Sequence, residues 1–404
     1  AYGQQVLPGT MKNRLILFLL ATAALAGCAT PEPAERPWPQ TDTSCTSDTV
    51  LLDAHFEAGN LGACTVADDG SFTLALVPEK APPINPSAWF AFRASGEPGT
   101  QVNMRLVLDH GYARYWPKVS VDGESWTALD PETVTGGGEA SKVMTFSFVL
   151  EDSQAWVAGQ EIIDTADYAA WLAAMDSVDG VNTRLLGSSV QGRPIRIAET
   201  GERPEFVLFV GRQHPPEVTG AIGMKAFLEN VFSDSERARR FRERYMLGVV
   251  PLMNPDGVAN GHWRLNMNGI DLNRDWGPFT QPETQAVMGW VEEQESAGRK
   301  LVLMLDFHST WEDLFYTPSV QDPPGYATNW LNAVRERLPD FPFRHVPATD
   351  YEQPNSKNYF WVSRGIPAIT YEVGDNTDRD AIRIAAEMFA EEMMRLMLER
   401  PAPL

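Results

Sequence analysis

The sequence predicts two domains of different class, a small antiparallel β-sandwich followed by a larger α/β domain. Three observations predict it. The chain has 404 residues, more than one ordinary core fills. Residues 48–152 carry short alternating apolar runs separated by turn residues. After Trp156 longer helical periods alternate with continuous apolar runs, the pattern of helices crossing over buried strands. The composition, 43% hydrophobic and 22% charged, is that of a soluble globular protein. A formal net charge of -21 argues against nucleic acid as a partner, because phosphate binding needs a basic face. It equally disfavours adhesion to anionic lipid by charge alone.

Residues 1–10 fit no targeting design. From Met11 the chain reads MKNRLILFLLATAALAGC, with basic Lys12 and Arg14, an apolar run too short to span a membrane comfortably, and small residues before Cys28. Residues 1–28 are therefore read as upstream residues plus a signal peptide. The ending Leu25-Ala26-Gly27-Cys28 resembles a bacterial lipobox, which implies lipidation of Cys28 and a membrane association only through that anchor. Ala29 in the next position favours the outer membrane, facing the periplasm, on the same resemblance. Residues 29–47 are rich in Pro, Thr, Glu and Ser and read as a disordered tether. In an exported protein Cys45 and Cys64 are expected to form a disulfide.

The first domain is drawn over residues 48–155. Its strands are expected at 72–77, 88–94, 102–109, 118–122 and 144–150, with turns at Gly96 to Gly99, Asp122-Gly123 and Gly136 to Gly138. His55 and His110 are isolated and read as structural or surface groups. HFEAGNLGAC, AWFAFRA and YARYWPKVSVDGESW resemble the amino-terminal β-domain of cytosolic-carboxypeptidase-type metallopeptidases.

The second domain is drawn over 156–404. Helices are expected at 165–178, 219–244, 282–298, 326–338 and 378–399, and core strands at 207–211, 245–253, 300–308 and 367–374. The stretch VLFVGRQHPPE ends an apolar strand at Gly211 and delivers His214 and Glu217 onto a loop stiffened by Pro215 and Pro216. An imidazole and a carboxylate so spaced supply two ligands of a zinc site. The strand ending Leu305-Asp306-Phe307-His308 presents the third, His308, and Asp306 is placed to orient a ligand imidazole. Two His and one Glu leave a coordination position open, the layout of a hydrolytic zinc site.

Between these strands runs NPDGVANGHWRLNMNGIDLNRDWG, residues 254–277, whose arginines suit a substrate that ends in a carboxylate. Together HxxE at 214–217, NPDG at 254–257, DLNRDW at 271–276, His308 and Glu372 of TYEVG resemble the zinc carboxypeptidase family, from about residue 185 to the end. The resemblance implies a mixed-sheet carboxypeptidase domain holding one Zn2+ per chain on His214, Glu217 and His308. It implies that Arg264 polarises the scissile carbonyl, that Asn273 and Arg274 clamp the terminal carboxylate, and that Glu372 is the general base. Tyr351, with Tyr359 as competitor, matches the tyrosine that closes over substrate, and Lys357 falls where the side-chain pocket is lined. A lysine there favours acidic C-terminal residues.

The reading is therefore a monomeric, lipid-anchored zinc metallocarboxypeptidase whose partner is a peptide with a free C-terminal carboxylate. Its alternatives are a periplasmic amidase or carboxypeptidase trimming peptidoglycan stem peptides, and a non-catalytic carboxylate-binding protein on the same fold.

Overall fold

The computed structural model describes residues 42–80, 87–138, 141–318 and 325–401. Cys28, the signal-like segment and residues 29–41 of the expected tether lie outside the described residues. Among the described residues no helix is long and apolar enough to cross a membrane.

The amino-terminal part contains β1 (Ser44–Thr46), β2 (Val50–Asp53), β3 (Ala63–Val66), β4 (Phe72–Ala75), β5 (Ala91–Gly96) and β6 (Gln101–Val107). It continues with β7 (Lys118–Ser120), β8 (Thr127–Ala128), β9 (Val134–Gly136), β10 (Val143–Val149) and β11 (Gln154–Ala158). They form two sheets, in the orders β1-β2-β5-β11-β7-β8 and β3-β4-β6-β10-β9. Leu52, Phe92 and Val157 from the first sheet pack with Leu74, Met104 and Phe146 from the second. Alternation drives this: in β6 Val102, Met104 and Leu106 are buried while Gln101, Asn103 and Arg105 are exposed. The pairings are antiparallel except for β4 with β6, which run parallel because the chain between them passes through β5 in the other sheet.

Two boundaries read from the sequence shift. β1 falls inside the 29–47 stretch expected to be tether, and Cys45 in it is disulfide-bonded to Cys64 of β3, with Cα atoms 6.1 Å apart. A three-residue edge strand with one half-buried side chain leaves no alternation to read. β11 runs across the 155/156 boundary, because its Trp156 and Val157 pair with β5 and β7 rather than opening the next domain.

The α/β part follows with α1 (Thr165–Asp176), β12 (Val181–Ser188), β13 (Pro194–Thr200), β14 (Glu205–Gly211), α2 (Val218–Val231), α3 (Glu236–Arg244), β15 (Tyr245–Val250) and α4 (Pro255–Ala259). Then come α5 (Pro282–Ser296), β16 (Lys300–Thr310), β17 (Leu314–Thr317), α6 (Tyr326–Arg337), β18 (Arg344–Pro347), α7 (Ser356–Arg364), β19 (Ala368–Gly374) and α8 (Arg379–Glu399). The sheet order is β12-β13-β15-β14-β16-β19-β17-β18. Its centre, β15-β14-β16-β19, is parallel, while β13 on β15 and β17 on β19 are antiparallel, so the sheet is mixed.

Burial on both faces explains the continuous apolar runs. In β14, Val207 and Phe209 enter the core shared with α2 and α8, whereas Phe206, Leu208 and Val210 enter the one shared with α5 and Phe360 of α7. The single helix expected over 219–244 is two helices. Phe232 caps the end of α2, and Ser235 opens α3 by accepting from the Ala238 N–H. Apolar spacing carried across the break conceals it. The β12–β13 hairpin and the short strands β17 and β18 lie outside the expected elements: β12 and β18 are mostly half-exposed with no clean period, and the buried β17 is only four residues long.

The two parts pack directly. Arg114 reaches from the loop after β6 to donate from Nε and Nη2 to the Asp375 carboxylate (2.6 and 3.1 Å), from Nη2 to the Ser309 carbonyl and from Nη1 to Ser87 Oγ. Asp375 follows β19 immediately, and Ser309 follows His308.

Candidate active site

Three strand ends and one helix start converge. At the end of β14 the chain turns through Arg212, whose φ of 52° places a non-glycine residue in the left-handed region. That turn is held by Arg212 Nε donating to the Pro215 carbonyl at 2.8 Å and Nη1 to the Tyr168 hydroxyl at 3.0 Å. It brings His214 back over the sheet edge and places Glu217 at the N-cap of α2. Glu217 makes no capping bond to its own helix, so its carboxylate is turned elsewhere. His308 lies near the end of β16, against which α2 packs so closely that a Cβ on Gly220 would lie 2.4 Å from the His308 carbonyl oxygen. In the parallel pairing of β16 with β19, His308 is opposite Glu372, which sets the two side by side on one face.

The two imidazoles are arranged alike. His214 turns Nδ1 to Glu217 Oε1 at 2.8 Å and Nε2 to Asp271 Oδ1 at 3.0 Å. His308 turns Nδ1 to Glu217 Oε2 at 2.7 Å and Nε2 to Asp306 Oδ2 at 3.0 Å. One ligand atom from each of His214, Glu217 and His308 lies within 4.8 Å of the others, and all three residues are buried.

A neutral imidazole has one N–H and one lone pair, so it cannot donate to carboxylates at both nitrogens. With both Nε2 atoms held by Asp271 and Asp306, both Nδ1 lone pairs and both Glu217 oxygens aim at a common space. That donor set fits one divalent cation of the zinc type, two nitrogens and a carboxylate, with the carboxylates behind the rings fixing tautomer and orientation. Asp306 Oδ2, 3.0 Å from His308 Nε2, also accepts from Gln213 Nε2 and from Ser356 Oγ. Asp271 was missed. It belongs to the DLNRDW run, yet nothing in the spacing ties position 271 to position 214.

The charges follow the same layout. Burial works to raise the Glu217 carboxyl, but His214 and His308 outweigh it and hold it well below the usual range. Burial likewise opposes the Asp271 charge, and His214, Arg264 and Arg274 overcome it. His308 is disfavoured as a cation by burial, yet Asp306 and Glu217 draw its pKa well above that of a free imidazole. Glu372 behaves oppositely: burial, assisted by the Glu217 charge and only partly offset by His308, His214 and Arg114, pushes its carboxyl up to about 7. Its Oε2 is buried and has no hydrogen-bond partner among the described residues.

His214, Glu217, His308 and Glu372 line a cavity of about 400 Å³ together with Arg264, Asn273, Arg274, Lys357, Asp350, Thr370 and Tyr316. Arg264 donates from Nε to Asp271 Oδ2 at 2.8 Å, so Asp271 joins the arginine to His214. Asn273 accepts at Oδ1 from the Ser356 N–H, and its Nδ2 lies 3.3 Å from His308 Nε2. Arg274 Nη1 donates to the Asn273 carbonyl. Lys357 is buried at the start of α7 with Nζ on Asn358 Oδ1, and burial, partly offset by Asp350, lowers its pKa to about 8. Tyr351 is not among the residues lining the cavity: its ring lies 5.9 Å from Lys357 Nζ and packs against Trp361. Tyr359 packs on Phe279 and Phe360. Tyr316, on the short unexpected strand β17, lines the cavity instead. A larger cleft of about 580 Å³ lies elsewhere, between Trp126 and Trp171, and contains none of the cluster.

A family model described as zinc carboxypeptidase matches residues 168–385, more than half of the chain. The chain belongs to the zinc carboxypeptidase family. A second model, the cytosolic carboxypeptidase N-terminal domain, matches residues 52–159. Among curated relatives, human cytosolic carboxypeptidase 4 is 25% identical over 331 residues, covering 68% of this chain but 29% of the human protein. An uncharacterized protein of Zymomonas mobilis is 25% identical over 263 residues, 63% of this chain and 67% of that one. The fold is shared with a Burkholderia cenocepacia metallo-carboxypeptidase (TM-score 0.72, 22% identity, covering 87% of this chain and all of that one). It is shared also with a Pseudomonas aeruginosa metallo-carboxypeptidase solved in complex with (2-guanidinoethylmercapto)succinic acid (TM-score 0.69, 24% identity, 86% and 99%).

The backing role of Asp271 is testable by metal titration. Asp271→Asn is expected to weaken zinc binding by roughly tenfold to a hundredfold, because the ligand ring loses the partner that fixes its tautomer. An unchanged affinity against a competing chelator contradicts it.

Proposed function

We propose that this chain is a zinc-dependent metallocarboxypeptidase that releases the C-terminal residue of a peptide, with Glu372 as general base. One observation carries this: a carboxylate whose buried Oε2 has no hydrogen-bond partner among the described residues stands beside His308 of the His214/Glu217/His308 cluster, in a cavity that Arg264, Asn273, Arg274 and Lys357 also line.

His214, Glu217 and His308 would hold the zinc, which when bound supplies a Lewis acid that acidifies an attacking water and polarises the scissile carbonyl. Glu372 Oε2 takes the proton from that water and passes it to the leaving amine. Arg264, oriented by Asp271, offers its remaining guanidinium donors to the oxygen on which negative charge develops. Asn273 and Arg274 orient the terminal carboxylate of the substrate, the guanidinium fork matching its two oxygens. Lys357 faces the same cavity and supports a preference for acidic terminal residues: a desolvated ammonium gains most from a carboxylate side chain. The Cys45–Cys64 bond supports an exported enzyme, because such bonds persist in oxidising compartments. A lipid anchor at Cys28 accords with that address.

Glu372→Gln is expected to keep its zinc and its folded state while kcat falls by at least about a hundredfold. In the wild type, kcat/KM declines on the acid side as Glu372 takes up a proton, with a midpoint below about 7 once a cation occupies the cluster. Activity retained by the glutamine variant removes Glu372 from the reaction.

Peptides differing only in their last residue, D-amino acids and diaminopimelate included, test the substrate class. Terminal Glu or Asp is expected to be released faster than Leu or Lys, and Lys357→Ala to cut kcat/KM for the acidic peptides by roughly tenfold while sparing the Leu peptide. Lys357 is charged below its pKa, so the preference holds at pH 7 and fades as pH rises through about 8. Equal rates across the series contradict an acidic pocket, and selective release of D-residues or diaminopimelate assigns a peptidoglycan stem instead.

A further inference from the structure

The loop that carries Arg264 is held by the amino-terminal β-rich part rather than by the sheet beneath it. Glu79, a few residues beyond β4, is buried, and its carboxylate accepts from three successive backbone N–H groups: Oε2 from Trp263 at 2.7 Å, Oε1 from Arg264 at 2.8 Å and from Leu265 at 2.5 Å. Consecutive N–H groups converging on one anion form an anion-binding nest, and here the anion is a side chain of another part of the molecule. Neighbouring contacts run the same way. Lys80 Nζ donates to the Gly269 carbonyl, Asn60 Nδ2 to the Gly261 carbonyl, and the Ala58 N–H to the Ala259 carbonyl. The Trp263 side chain is sunk into the sandwich core, while the next residue, Arg264, reaches away from it to Asp271 and the cavity.

We infer that Glu79 is a positioning residue for Arg264, so that the β-rich part completes the active site. The inference rests on the proposed role of Arg264. The guanidinium has two fixed points: Asp271 sets its Nε, and Glu79 sets the backbone from which the side chain springs. Without the carboxylate, three buried N–H groups lose their acceptor and must turn towards water, which moves the Arg264 Cα. Displacements of about 1 Å in a group that stabilises developing charge cost on the order of a hundredfold in rate. Sandwich and sheet therefore act as one catalytic unit, joined at this carboxylate and at the Arg114–Asp375 pair that follows Glu372's strand.

The test is a double-mutant cycle on the full chain. Zinc content and thermal midpoint are measured beside kcat and KM for wild type, Glu79→Ala, Arg264→Ala and the double variant. Glu79→Ala is expected to lower kcat by about tenfold to a hundredfold with KM little changed and zinc retained. In the Arg264→Ala background the same change is expected to cost less than about threefold, because the group through which Glu79 acts is gone. Glu79→Gln, whose carbonyl still accepts but whose NH2 meets an N–H, is expected to lose less than Glu79→Ala. Equal losses from Glu79→Ala in both backgrounds overturn the inference, as does a loss of fold in both Glu79 variants, which makes Glu79 a general stabiliser. If Arg264→Ala leaves kcat unchanged, the proposed role of Arg264 fails instead.

Discussion

Glu217 is a carboxylate buried between two imidazoles, each backed by a further buried carboxylate, and this charge arrangement is the constraint on which the site depends. Three carboxylates around two rings cannot be satisfied by the two ring protons of neutral histidines. The interior tolerates such a set only with positive charge at its centre, from extra protons or from a cation. Much of the local architecture serves to hold these groups: the left-handed turn at Arg212, the two prolines, the close approach of α2 to β16 at Gly220, and the Ser356 and Gln213 bonds to Asp306.

The parallel centre of the sheet converts that cluster into a reaction site. Because β16 and β19 run in register, His308 and Glu372 are neighbours on one face, and a group suited to move a proton lies beside the ligand set without belonging to it. Electrostatics separates the two carboxylates. Glu217, between two imidazoles, stays ionised, whereas Glu372, whose buried Oε2 has no hydrogen-bond partner among the described residues, is the more basic. The same sheet edge carries Arg264, Asn273 and Arg274 on a polar loop that has no regular structure of its own beyond short turns. Such a loop needs outside support, and the β-rich part supplies it through Glu79, Asn60 and Trp263.

What was legible in the sequence divides along physical lines. The strands buried on both faces, the amphipathic α8 and the alternation of the sandwich are set by local pattern, and β14, β16, β19 and β6 fall close to where that pattern places them. The cluster residues were legible because each stands at the end of an apolar run in a recognisable motif. Contacts between segments far apart in the chain were not. Asp271 backs a ring 57 residues away, and Glu79 holds N–H groups some 185 residues away. No period or spacing reports such a pair. Tyr351 shows the converse, since distance along the chain from Glu372 selected it while the fold turned its ring towards Trp361 and placed Tyr316 at the cavity.

What occupies the space between the two Nδ1 atoms and Glu217 decides how the site works. X-ray absorption at the zinc edge, on protein purified without added metal and quantified for zinc, reads that directly. One zinc per chain with two imidazole nitrogens at about 2.0–2.1 Å and carboxylate oxygen in its first shell is the predicted result. Protein that carries no zinc and takes up none, or zinc whose coordination is unchanged when His214 and His308 are replaced by alanine, would contradict it.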